Sequence, residues 1–215
     1  ILLHYMQQRC NFPIPHHPPK SPFIPFISQT PVYLSQWVSA DANRTTAFWL
    51  KTALGANLIA VLAQFSIPLP FVSITGQSLA VTLVGFALGR KAGVAAVLLY
   101  LLEGVMGMPV FANGKAGLGV LMGPSGGYLI GFIAMAYILG RASDKGVLKS
   151  AWKSVAAALV ATAVMFVFGL VQLSFFVPGG QVLEYGLYPF IAGGIVKAVL
   201  ASVLVVPAYR FFRKF

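Results

Sequence analysis

Residues 155–177, VAAALVATAVMFVFGLVQLSFFV, carry no charged side chain. Coiled as an α-helix at 1.5 Å per residue, such a run reaches about 34 Å, enough to cross a hydrocarbon core of about 30 Å. A helix of that length on a soluble protein would show a polar face. This one shows none. Working outward, comparable apolar runs stand at 47–65, 72–88, 93–107, 127–139 and 188–211. The whole chain agrees with its parts: 58% of its 215 residues are hydrophobic and 9% charged, with a mean hydropathy of +0.84, whereas soluble domains are about 25% charged. The expected fold class is an all-α integral membrane protein with six transmembrane helices.

Turn signals separate the runs: SIPLPF (66–71), LGRKAG (88–93), GMPVFANGKAG (107–117), RASDKG (141–146) and VPGGQ (177–181). The apolar piece 118–122 inside the third connection is too short to span and is expected as a re-entrant or interfacial segment. Irregular backbone at that depth has to be buried in protein or face water. Directly after it comes GPSGGY (123–128), a proline and three glycines in front of the fourth run. Such a bend serves either tight packing or close approach of main chain to a ligand.

Basic residues set the expected orientation. Arg9, Lys20, Arg44, Lys51, Arg90, Lys91, Arg141, Lys145, Lys149, Lys153, Arg210, Arg213 and Lys214 fall on one side, which is 13 of 15. The positive-inside rule makes that side cytoplasmic, with both termini on it, in the plasma (inner) membrane. The exceptions are Lys115 in an outer connection and Lys197 within the last run. Orientation and contact with anionic lipid account for the net charge of +11, so a nucleic-acid partner is not expected.

Residues 1–46 read differently. PIPHHPPKSPFIPF (13–26) cannot continue as helix, and the segment is expected as a proline-rich, cytoplasmic N-terminal extension ahead of a membrane domain at 47–215. A cytoplasmic extension proper, a targeting remnant and an over-long translation stay open for its origin. The sequon at Asn43 falls on the cytoplasmic side and is expected to be unglycosylated. Cys10 is the only cysteine, which removes disulfide frameworks and thiolate clusters. His4, His16 and His17 all lie in this segment, so no metal site is expected. With no His in the membrane part, no Ser, His and Asp set stands together either, and an enzyme is not expected.

Three stretches carry a family resemblance: PLPFVSITGQ (68–77), PVFANGKAGLGVLMGPSGGYLIGF (109–132) and GLYPFIAGGIVKA (186–198). Together they resemble BioY, the biotin-specific S component of energy-coupling factor (ECF) transporters, over about 47–211. The resemblance implies a membrane subunit that captures biotin from outside, with no cofactor of its own. Its implied partners are a membrane coupling protein and two ATPase subunits. In agreement, the chain has no G-x-x-x-x-G-K-[ST] phosphate loop.

Biotin offers an apolar bicycle, a ureido group that donates and accepts, and a carboxylate. Lys197 is the foremost candidate, since a cation within a span has to pair or face a water-filled cavity; snorkelling to the membrane edge is its alternative. The resemblance implies that this lysine contacts biotin. Lys115 is a candidate carboxylate partner and Asn113 a candidate amide for the ureido group, although Asn113-Gly114 also reads as a plain turn. Tyr128 offers a ring to the bicycle or anchors at the membrane interface. Gln77 is a possible hydrogen bonder in the pocket. The chain departs from the family pattern at Gly194, where an Asp is usual as the ureido partner, and at Leu129, where an Arg occurs. Glu103, inside the third run, is a candidate partner for Lys197, while Glu184 reads as solvated. Ala56 and Ala60 form a small-xxx-small pair, which in S components resembles the contact with the coupling subunit. Two other functions stay open: an S component for another small carboxylated vitamin or cofactor precursor, and a non-transporting membrane scaffold that has lost the site.

Overall fold

The computed structural model describes the backbone of residues 32–212 and the side chains of 43–207 except 179. The proline-rich stretch, Cys10 and the three histidines lie outside the described residues. The chain divides into two units, 1–42 and 43–215. In the first, residues 32–42 are helical. The second carries every stretch able to cross a membrane among the described residues.

The elements run α1 (Val32–Gln64), a two-stranded antiparallel ribbon of β1 (Ser66–Ile67) and β2 (Ile74–Thr75), α2 (Gln77–Val105), α3 (Leu118–Met122), α4 (Gly126–Asp144), α5 (Ala151–Leu173), α6 (Val182–Gly186) and α7 (Tyr188–Phe212). Five stretches are long and apolar enough to cross a membrane: Asn43–Gln64, Gln77–Val105, Gly126–Asp144, Ala151–Leu173 and Val182–Pro207. Large apolar side chains point outward along them, among them Leu54, Val61, Val167, Val171 and Val203. In water that surface would be prohibitive; against lipid it is the expected one. Inside the bundle the hydroxyls of Thr82, Ser154 and Ser202 each donate to the carbonyl four residues back. The helix itself thus satisfies them where no water can reach.

The sequence reading separated 72–88 from 93–107, and the structure shows how the two meet. Helix α2 is interrupted at Gly89, whose φ of 73° and ψ of −176° are not helical. Beyond it the chain turns back. A Cβ on Gly93 would stand 3.3 Å from the Cα of Gly85, and Gln77 donates to the Tyr100 hydroxyl. In one straight helix those last two residues would be about 34 Å apart. The bend is clasped by α4. A Cβ at Gly140 would fall 2.5 Å from the Cα of Arg90, the Asp144 carboxylate accepts from the Arg90 amide at 3.3 Å, and Ser143 donates to the Phe86 carbonyl at 2.7 Å.

Helix α1 packs its small-residue face inward, where a Cβ at Gly55 would meet Ala96, Leu88 and Val84. Ala56 is accordingly 0% exposed and Ala60 is half-buried against the core. Ala56, expected at the surface that meets a coupling subunit, therefore has no surface left to offer. Ala60 keeps part of its surface open. The open face of α1 carries Leu50, Leu54, Leu58 and Val61 instead.

Candidate functional site

The three connections with the distinctive motifs converge at one end of the bundle, and hydrogen bonds stitch them together. Ser66 donates to the Asn113 side-chain oxygen at 2.8 Å, and the Asn113 amide nitrogen donates to Ser73 at 3.2 Å. Gln64, on the last turn of α1, accepts from the Gly114 amide at 3.2 Å while its own nitrogen reaches the Phe111 carbonyl at 3.3 Å. Asn113 adopts the left-handed conformation (φ 60°) with Gly114 beside it (φ 67°), the turn that this dipeptide favours. On the other flank Gln172 of α5 donates to the carbonyls of both Leu121 and Gly123, each at 2.8 Å. It thereby fastens α3 and the glycine-rich bend to the bundle.

Beneath these connections lies a cavity of about 860 Å³, a volume that includes the part open to solvent. Tyr128, Phe166 and Phe190 form one wall. The Tyr128 and Phe166 rings meet edge to face at 6.2 Å, and the Phe190 ring is 6.2 Å from Tyr128. Tyr128 is 6% exposed and donates to the Gly186 carbonyl at 2.8 Å. It is therefore a wall of the cavity and not an anchor at the membrane interface.

Of the residues expected at the site, Lys197, Lys115, Tyr128, Gly194 and Gln77 all line this cavity. Asn113 does not appear in its wall, because both ends of its amide are bound to Ser66 and Ser73; it shapes the loop that carries Lys115. Gln77 reaches the cavity with its amide already engaged, donating to Tyr100 and accepting from Thr75 at 2.9 Å. Lys197, half-buried on α7, donates to the Thr75 carbonyl and, at 3.3 Å, to the Ser78 hydroxyl. Glu103 was a candidate partner for it, but no ion pair joins them among the described residues. The lysine is satisfied by neutral oxygens and keeps its charge unbalanced beside the cavity. Leu129 lines the same space and adds apolar surface to it.

Sequence reasoning missed five polar contributors to this wall: Ser73, Thr75, Ser78, Ser125 and Thr162. Small hydroxyl residues are common in membrane helices as internal hydrogen bonders, so nothing in their spacing marks them. Among the described residues, no aspartate or glutamate lines the cavity, and two lysines do. A pocket so built is electropositive and otherwise apolar, which suits an anionic tail on an apolar body.

The BioY family model matches residues 36–214. The chain belongs to the BioY family. Relatives within it include the biotin transporter BioY of Thermotoga maritima, 38% identical over 156 residues, which are 72% of this chain and 91% of that protein. The biotin transporter BioY2 of Lactococcus lactis is also 38% identical, over 70% of this chain and 84% of its own length. Among solved structures, the crystal structure of the S-component for biotin from an ECF-type ABC transporter matches with a TM-score of 0.70 and 26% identity, covering 78% of this chain and 93% of that one. The all-α membrane fold is therefore the BioY fold, and the cavity lies beneath the motifs that suggested the family.

Proposed function

We propose that this chain captures biotin and carries it across the membrane as the substrate-specific S component of an ECF transporter. The observation that carries the reading is the cavity itself, in which two lysines and no carboxylate sit beside the Tyr128, Phe166 and Phe190 wall. Relatives named biotin transporters and a structural neighbour named as a biotin S-component support it. Binding alone does not concentrate a solute. With no phosphate loop in the sequence, ATP hydrolysis falls to partners, a membrane coupling protein and two ATPase subunits.

Equilibrium titration of biotin into the purified chain in detergent tests the assignment, with saturable one-to-one binding as the expected result. Absence of biotin binding together with tight binding of another carboxylated vitamin would replace the ligand. Indifference to a whole vitamin panel would leave a scaffold whose site is lost.

The bend at Gly89 turns Gln77–Val105 into two antiparallel segments, so the chain is proposed to cross the membrane six times, with α3 at the outer edge as a re-entrant or interfacial piece. The cationic ends at 90–91 and 141–153 then face the cytoplasm, together with both termini, in the plasma membrane. A cysteine placed at Gly180, where a Cβ meets nothing within 4 Å, is expected to react with an impermeant thiol reagent added outside intact cells. One placed at exposed Lys145 is expected to stay unlabelled. The reverse pattern overturns the orientation.

A further inference from the structure

Thr162 lies in the middle of α5, 8% exposed, in the wall of the cavity. Its methyl group lies 3.5 Å from where a Cβ at Gly194 would stand, so the two positions face each other across the gap between α5 and α7. What sets Thr162 apart is its hydroxyl. Thr82, Ser154 and Ser202, which are also buried on helices, each return a hydrogen bond to the carbonyl four residues back. Thr162 makes no such bond, nor any other among the described residues. Its oxygen is not among the buried polar atoms that lack a partner, so it stays open to the space of the cavity. Thr52, whose hydroxyl is buried and unpaired, does not line this cavity. Thr162 presents its free hydroxyl where a bound molecule can reach it.

The chemistry of the partner follows from the rest of the wall. An anionic group is served by Lys197 and Lys115, where a point charge is stronger than a hydroxyl. A hydroxyl both donates and accepts, and it suits a neutral group that does the same. Resting on the assignment of biotin above, we infer that Thr162 is a specificity-determining residue that hydrogen-bonds the ligand's urea ring. It takes up that task from α5 because Gly194, facing it on α7, has no side chain to offer. Thr162 and Lys197 would then hold different ends of the ligand.

The test uses the full chain in detergent with two variants, Thr162→Val, which keeps the shape and removes the hydroxyl, and Thr162→Ser, which keeps the hydroxyl. Each is titrated with biotin and with biotinol, in which the carboxyl is reduced to an alcohol and the urea is intact. Thr162→Val is expected to weaken biotin by about 5-fold to 150-fold, the cost of leaving a buried polar group unpaired at 1.4 kcal/mol per decade. Biotinol should weaken by the same factor, Thr162→Ser should bind biotin as the unmodified chain does, and melting without ligand should not move. A loss under about 5-fold overturns the inference. So does a loss confined to biotin, which would place the hydroxyl at the carboxylate, and so does a loss that serine fails to rescue, which would mark a packing effect. If the unmodified chain does not bind biotin, the assignment of function fails and this inference with it. If it binds and Thr162→Val is silent, only this inference fails.

Discussion

Lys197→Ala is expected to weaken biotin binding by about 1.5–3 kcal/mol, the worth of hydrogen bonds to a charged group, or roughly 10-fold to 150-fold. The lysine stands on a membrane-crossing helix beside the cavity, with the Thr75 carbonyl and the Ser78 hydroxyl as its partners among the described residues. Its charge is uncompensated by any carboxylate in the cavity wall, so an incoming anion is the first counter-charge it meets. The low-dielectric surroundings strengthen that bond over one made in water. Lys115 provides the comparison. It lines the same cavity from an exposed loop, and Lys115→Ala is expected to cost at most about 1 kcal/mol, as hydrated surface charges do. Calorimetric titration of both variants, each checked for its melting temperature, decides the matter. Unchanged affinity in Lys197→Ala would remove this residue from the site.

The second large effect is expected at Gly126. A Cβ there would stand 1.8 Å from the Leu121 carbonyl oxygen and 2.6 Å from the Gln172 side-chain nitrogen. Those two neighbours cannot yield separately, because Gln172 holds the Leu121 carbonyl. Gly126→Ala therefore has to push α3 off the bundle, carrying Val120 out of the cavity wall. Overpacking of this kind costs about 1–3 kcal/mol, and both a lowered melting temperature and weakened binding are expected. Gly119, on α3 itself, meets nothing within 4 Å, so Gly119→Ala should be tolerated and serves as the control. If the two alanine variants melt and bind alike, the clasp between Gln172 and α3 does not hold the site together.

The GPSGGY motif thus has a packing answer, and the same packing sets one wall of the cavity. Gly126 and Gly127 bring main chain against α3 and α5, since a Cβ at Gly127 would fall 2.3 Å from the Phe168 carbonyl. That closeness turns the Tyr128 ring into the cavity wall. From the string alone the two purposes could not be ranked, because both ask for the same absence of a side chain.

Lys197 and Tyr128 were legible for opposite reasons. A lysine within an apolar run is so costly that it needs an explanation before any fold is known. Tyr128 was legible only through its motif, and whether it anchored at the lipid interface or lined a pocket turned on burial. Asn113 and Gln77 share the same lesson. Each is an amide capable of reading a ureido group, and each is occupied by neighbours distant in sequence, Ser66 and Ser73 for one and Tyr100 for the other. Glu103 and Ala56 were assigned partners by type, and the packing of α2 and α1 gave them different surroundings.

The amino-acid sequence determined by itself what depends on transfer into lipid: which stretches are apolar enough to cross and where turns interrupt them. Those rest on local composition summed over about 20 residues, and no long-range contact can reverse them. Only the tertiary structure decided that the chain doubles back at Gly89 against α4, that Gln172 pins α3, and that Thr162 faces Gly194 with its hydroxyl unspent. These depend on which residues meet across 50 or more positions of chain, or across two helices, and a hydrogen bond's partner is a matter of about 3 Å in space, a distance that spacing along the chain does not encode.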